Sequence, residues 1–200
     1  MGKYLIAITG ASGSVYGLRT ISALVSGGHE VHAIVSAWGD RVISEETGRP
    51  FASWIEELGL SRDRVYDPSD MAAPPASGSF ALDGMAIVPC SMSSAGSIAS
   101  GIAGSLIHRS ALACLKEGRP LILVPRETPL SLPDLRNLTS LAEAGAAILP
   151  ASPAFYQKPR GIGDLVDFIA GKILSRLGLE QRLFDAWGSQ AEDGVSGRQS

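Results

Sequence analysis

Thr9-Gly10-Ala11-Ser12-Gly13-Ser14-Val15-Tyr16-Gly17 follows a short apolar run, Tyr4-Leu5-Ile6-Ala7-Ile8, and precedes a stretch with helical periodicity through Leu18, Ile21, Leu24 and Val25. This reads as a strand, a glycine-rich turn and a helix. Such a turn aims backbone N–H groups and the positive end of the helix dipole at one spot, where an anion is favoured. Gly10 and Gly13 permit the tight turn and the close approach of a ligand. The spacing is G-x-x-G-x-x-x-G, not the G-x-G-x-x-G of a dinucleotide site. It therefore favours a mononucleotide over NAD. The same turn also occurs as a purely structural connection, and this stretch by itself leaves both readings open.

Outward from the turn, strands and helices alternate. The first strand is expected over Tyr4–Thr9 and the first helix over Val15–Ser26, stopped by Gly27-Gly28. A second strand spans Val31–Val35 and ends at Ser36. Helical segments are expected at Trp38–Thr47 and Phe51–Leu58, then a polar, proline-bearing loop at Asp67–Ser79. A loop of that length in a compact domain calls for a function. Met85–Val88 is a buried strand that runs into Pro89-Cys90-Ser91-Met92-Ser93-Ser94, followed by small residues and a helix at Leu106–Lys116. Leu121–Val124 is the next strand and ends in Pro125-Arg126-Glu127-Thr128-Pro129. A helix near Pro133–Ala144, a strand at Ala146–Leu149, a loop with Phe155-Tyr156 and a helix at Ile162–Leu177 complete the pattern. Residues 1–188 read as one α/β domain, and the small, polar residues 189–200 as a disordered tail. Alternation of this kind predicts a doubly wound, mostly parallel sheet with helices on both faces.

Bulk properties exclude several classes. The 200 residues suit one domain with a real core. A formal charge of −3 and a pI near 5.6 give no basic surface for nucleic acid. No apolar run reaches membrane-spanning length. Cys90 and Cys114, without a signal peptide, read as reduced thiols of a cytoplasmic protein. His29, His32 and His108 are scattered, show no metal-ligand spacing and sit at unpromising positions for catalysis. No aspartate-rich pair is present to hold magnesium on a diphosphate, so no metal is expected.

Ligands of doubly wound sheets bind outside the carboxyl ends of the strands. Ser12, Ser36, Cys90–Ser94, Arg126-Glu127 and Tyr156 all fall just after strands. An arginine there suits a phosphate through its bidentate fork. A neighbouring carboxylate exchanges protons when its pKa is suitably placed, although an isolated Arg-Glu pair is equally a loop-holding salt bridge. Ser91, Ser93 and Ser94 sit where a helix begins and serve as caps even without a ligand. Met71 and Trp187 either pack in the core or wall an apolar ligand. Cys90 has no basic neighbour in sequence and reads as a small buried hydrophobe.

Taken together, the motifs resemble the UbiX-type flavin prenyltransferases, a family long labelled aromatic-acid decarboxylases. The matching stretches are Gly10-Ala11-Ser12-Gly13, Ala73-Pro74-Pro75-Ala76-Ser77-Gly78-Ser79, Pro89-Cys90-Ser91-Met92, Ile98-Ala99-Ser100-Gly101, Val124-Pro125-Arg126-Glu127-Thr128-Pro129, Leu149-Pro150 with Phe155-Tyr156, and Asp164-Leu165-Val166-Asp167. The resemblance implies a Rossmann-like (flavodoxin-like) subunit in a dodecamer. It implies joining the dimethylallyl group of dimethylallyl phosphate to N5 and C6 of reduced FMN, without a metal. The prenylated FMN would then serve a partner UbiD-type decarboxylase. By the same resemblance Gly10, Ala11, Ser12, Ser36, Ser91, Met92, Ser93, Ser94 and Arg126 hold FMN. Arg109, Lys116, Arg126, Tyr156 and Lys172 grip the phosphate of the prenyl donor. Ser12, Glu46 and Glu127 are the implied catalytic residues, with Glu46 arriving from a neighbouring subunit and Trp187 helping to close the pocket. Lys172 stands where many relatives carry arginine, and Ser93-Ser94 replaces a more common Lys-Thr.

Three other readings compete. A flavin-dependent peptidyl-cysteine decarboxylase would carry Pro-Ala-Ser-Ala-Asn and a catalytic histidine; this chain has Pro75-Ala76-Ser77-Gly78-Ser79. A direct aromatic-acid decarboxylase would turn over the acid without a partner enzyme. A flavin carrier would need neither Glu127 nor the cluster of cations.

Overall fold

The computed structural model describes residues 1–185. Trp187 and the 189–200 tail lie outside the described residues. Six strands form one sheet in the order β3-β2-β1-β4-β5-β6. They are β1 (Lys3–Ile8), β2 (Glu30–Val35), β3 (Val65–Tyr66), β4 (Gly84–Cys90), β5 (Leu121–Pro125) and β6 (Ala147–Ile148). All pairings are parallel. The order reverses between β1 and β4, which makes their carboxyl ends the switch point where doubly wound folds bind ligands. Thr9 stitches that point together: its N–H and Oγ1 both donate to the Pro89 carbonyl (3.2 and 2.9 Å), and its Oγ1 accepts from the Ser91 N–H at 2.8 Å.

The central strands are buried on both faces because their sequences are continuous apolar runs. The faces are covered by α1 (Ser14–Ser26), α2 (Ala37–Thr47), α3 (Met92–Ala99), α4 (Leu106–Lys116), α5 (Leu132–Glu143) and α6 (Ile162–Arg176). One apolar layer joins Ile6, Ile8, Ile21 and Leu24 to Phe168, Ile169 and Ile173 of α6. The other joins Leu5, Ile87 and Leu123 to Leu106, Ile107 and Leu138. The third glycine of the motif is a packing glycine. A Cβ on Gly17 would stand 2.3 Å from the Val88 carbonyl oxygen and 2.8 Å from Ile8 Cδ1. Its absence lets α1 lie directly on β1 and β4. Gly13 has φ 100°, a left-handed conformation that favours glycine.

Three local expectations change. Phe51–Leu58 is not an α-helix but a 3₁₀ turn at Phe51–Ser53 continued by turns. Its bonds run Ser53 N to Pro50 O and Trp54 N to Phe51 O, before Gly59 ends it at φ 67°. The two-residue edge strand β3 has no counterpart in the sequence reading. The Asp67–Ser79 loop is tied down rather than structureless. Asp67 and Asp70 close local turns, and a 3₁₀ turn occupies Pro74–Ala76. Arg119 donates to the carbonyls of Gly78 and Phe80 at 2.7 Å each.

Candidate active site

The glycine turn reaches the end of β1 with the Gly13 and Ser14 N–H groups already engaged. Glu46, at the end of α2 in the same chain, accepts through Oε1 from the Gly13 N–H at 2.8 Å. Its Oε2 accepts from the Ser14 N–H at 2.8 Å and the Ser14 hydroxyl at 2.7 Å. Partial burial acts to raise the carboxyl pKa. Hydrogen bonds from the Ser12 and Ser14 hydroxyls and the two backbone N–H groups outweigh it and hold the pKa below the usual range. Glu46 is therefore ionised at neutral pH. This revises two expectations. The anion at the α1 N-terminus is built into the chain, so a ligand phosphate does not take the Gly13 and Ser14 N–H groups. Glu46 also reaches the turn of its own subunit.

Arg126, at the exit of β5, donates Nε–H to the Ser12 carbonyl at 3.1 Å and so crosses from β5 to the turn. Glu127 follows it, exposed, with Oε1 accepting from the Thr128 N–H at 3.1 Å. Ser36 caps α2 by accepting from the Gly39 N–H at 2.9 Å. Trp38 of the same helix sits against Gly10, where an added Cβ would meet Trp38 Cβ at 2.5 Å. A cavity of about 440 Å³ opens beside Ser36, walled by Phe51, Ile55 and Tyr66, with Asp40 and Asp67 at its polar side. Ser91 caps α3, accepting from the Ser94 N–H at 3.3 Å. Met92 and Ser93 form the first turn of that helix. Gly10, Ala11, Ser12, Ser36, Ser91–Ser94, Arg126 and Glu127 thus share the carboxyl edge of the sheet, with Glu46 folded back onto it.

The remaining cations are placed differently. Lys172, on α6, lies 5.5 Å from the ring centres of both Phe168 and Phe184. Tyr156 packs edge-on to Phe168 at 6.2 Å, which puts Tyr156 and Lys172 on one aromatic cluster. Arg109 donates Nε–H to the Ala76 carbonyl at 3.1 Å and so anchors the proline-bearing loop. Lys116 ends α4, which returns from the carboxyl to the amino edge of the sheet. An eleven-residue helix spans about 16 Å, so one chain does not bring Lys116 to the glycine turn.

Cys90 and Cys114 are buried, and burial pushes their thiols up to about 12 and about 11. Neither is a thiolate nucleophile. Among the described residues no cluster of His, Cys, Asp and Glu could hold a metal ion, and no helix is long and apolar enough to cross a membrane. Sequence reasoning dismissed all three histidines, yet His108 Nε2 lies 3.3 Å from Ser94 Oγ. No motif links these residues, which stand fourteen positions apart, and only the packing of α4 on α3 reveals the contact.

A doubly wound parallel sheet with capped helices, Arg126 and a serine-rich edge at its switch point is the architecture of a nucleotide-binding class. The Flavoprotein family model matches residues 2–174. Within that class the chain belongs to the UbiX flavin prenyltransferase family. It is 42% identical over 200 residues to the flavin prenyltransferase UbiX of Halalkalibacterium halodurans, covering 96% of each chain. It superposes with a TM-score of 0.88 on the crystal structure of AnUbiX (PadA1) in complex with FMN and dimethylallyl pyrophosphate, at 42% identity, covering 93% of this chain and 97% of that one. A dodecameric FMN-dependent UbiX-like decarboxylase from Escherichia coli O157:H7 gives 0.84 at 37% identity, covering 89% and 96%.

Proposed function

We propose that this protein prenylates reduced FMN, joining a dimethylallyl group to N5 and C6 with loss of phosphate. The observation that carries the reading is Glu46 held on the Gly13 and Ser14 N–H groups, with Arg126 on the Ser12 carbonyl, at the switch point, in a chain of this family. The flavin supplies the nucleophile when bound.

The protein supplies the rest. The Ser12 hydroxyl stands in the same turn as the Gly13 and Ser14 groups that Glu46 holds, and a hydroxyl turned to that carboxylate would keep its oxygen lone pairs available. It can accept a proton from a ligand N–H while passing its own to Glu46. The low pKa of Glu46 makes it a transient proton holder that readily returns the proton. Arg126 spends Nε–H on the Ser12 carbonyl, and its terminal nitrogens serve a phosphate. Lys172, Tyr156, Arg109 and Lys116 add positive charge and a phenol where negative charge develops on the leaving phosphate. Glu127 protonates that phosphate or takes a proton from it.

The placement of Lys116 supports an assembly in which one copy completes the site of another. Trp38, Phe155 and Ile162 are 74%, 70% and 77% exposed, large apolar side chains that a neighbouring copy would cover. We propose a dodecamer, with FMN, Gly10–Ser12, Ser36, Ser91–Ser94 and Arg126 at the junction of subunits. The product passes to a UbiD-type decarboxylase. A cytoplasmic location fits this reading.

The test is anaerobic. The protein is mixed with reduced FMN and either dimethylallyl phosphate or the diphosphate, and the flavin mass is read. Gain of one C5 unit is expected. Bound, unmodified FMN with both donors would overturn the reading in favour of a flavin carrier or an FMN-dependent decarboxylase.

A further inference from the structure

We infer that His108 is a positioning residue, which fixes the Ser94 hydroxyl as a hydrogen-bond donor to an acceptor oxygen of the bound flavin. The inference rests on the flavin reading above. Three contacts carry it. Ser91 Oγ donates to Ser94 Oγ at 3.2 Å. The Ser94 N–H donates to Ser91 Oγ at 3.3 Å. His108 Nε2 lies 3.3 Å from Ser94 Oγ. The other ring nitrogen, Nδ1, is buried and has no partner among the described residues.

The orphaned nitrogen decides the tautomer. A buried N–H without an acceptor is rare and costly, whereas a bare ring nitrogen forfeits less. Desolvation of the imidazole lowers its pKa and keeps the ring neutral, so it carries one proton. That proton belongs on Nε2, where Ser94 Oγ can accept it. A hydroxyl oxygen has two lone pairs. One takes the Ser91 O–H and the other the His108 Nε2–H. The single hydrogen of Ser94 must then point away from both, and it finds no further acceptor among the described residues. Ser94 stands in the first turn of α3, at the carboxyl edge of the sheet. An incoming carbonyl or phosphate oxygen meets a hydroxyl that is already a donor. With the opposite tautomer, Ser94 would spend its proton on His108 and offer that oxygen only lone pairs.

The experiment measures dissociation constants of FMN and riboflavin for the full-length protein and for Ser94→Ala, His108→Phe, His108→Gln and the Ser94→Ala/His108→Phe double variant. Thermal melts of each variant run in parallel. Ser94→Ala and His108→Phe should each weaken binding by about 5- to 30-fold, the range for one buried hydrogen bond. The double variant should lose no more than either single one. His108→Gln keeps an N–H donor and should restore binding. Loss confined to FMN assigns the acceptor to the phosphate, and loss shared with riboflavin assigns it to the ring.

Additive losses, or a His108→Phe variant that binds as tightly as the parent, would overturn the inference. Failure of the parent protein to bind FMN would instead overturn the flavin reading. If His108→Phe does not fold, neutron diffraction of the parent decides: deuterium on Nε2 supports the assignment and deuterium on Nδ1 refutes it.

Discussion

Glu46 carries the clearest residue-scale consequence. Its pKa is depressed in the folded protein, so it adds stability above the usual carboxylate range. That stability is lost as pH falls through the folded value. Glu46→Gln should lower stability at neutral pH by roughly 0.5–1 kcal/mol, the scale of a charge at a helix N-terminus. It should also flatten the acid limb of a plot of melting temperature against pH. An unchanged acid limb would remove Glu46 as the anchor of the turn. Glu127 has a different task, because among the described residues its carboxylate holds only the neighbouring Thr128 N–H. Glu127→Gln should leave FMN affinity intact and slow prenyl transfer about 100-fold or more, as single-turnover kinetics would show. Normal turnover would eliminate its proton-transfer role. The reach of Glu46 across to Gly13 was invisible in the sequence, since 33 positions separate the partners and no pattern pairs them. Ser91 was legible as a cap because the cap precedes its helix directly.

At the scale of elements, legibility followed length and apolar continuity. β1, β4 and β5 announce themselves as unbroken apolar runs, and α1 as a periodic stripe. β3 did not, because two residues between Arg64 and Asp67 present no period at all. The 51–58 segment has apolar spacing suited to a helix, but Pro50 starts it with i to i+3 bonds and Gly59 ends it. The seat of α1 yields a direct prediction. Gly17→Ala would force a methyl group into the Val88 carbonyl, and overpacking of this kind costs about 1–3 kcal/mol. Chemical denaturation should show a lower midpoint with an unchanged slope. An unaltered midpoint would mean that α1 sits farther from β4 than described.

For the whole molecule, the question is which chain completes which site. α4 carries Lys116 to the amino edge while Ser12 stays at the carboxyl edge. Ser12→Ala and Lys116→Ala should each be nearly inactive alone. Mixed by co-expression, they should regain activity, because some sites then draw an intact turn from one copy and an intact lysine from another. No recovery would place both residues in one chain's site. That the sheet is parallel and doubly wound could be read from the alternation of strands and helices, whereas the strand order that sets the switch point could not. The division of the cations between the sheet's two edges could not either, because sequence position does not say which end of a helix faces a neighbour.

The carboxylate of Glu46 is a tethered occupant of the place where nucleotide-binding folds welcome phosphate. Any free anion must compete with a rival that is covalently attached and never diffuses away. A phosphate that approaches the α1 terminus meets a carboxylate already on the Gly13 and Ser14 N–H groups. The fold keeps the architecture of a general phosphate receptor while withdrawing its generality.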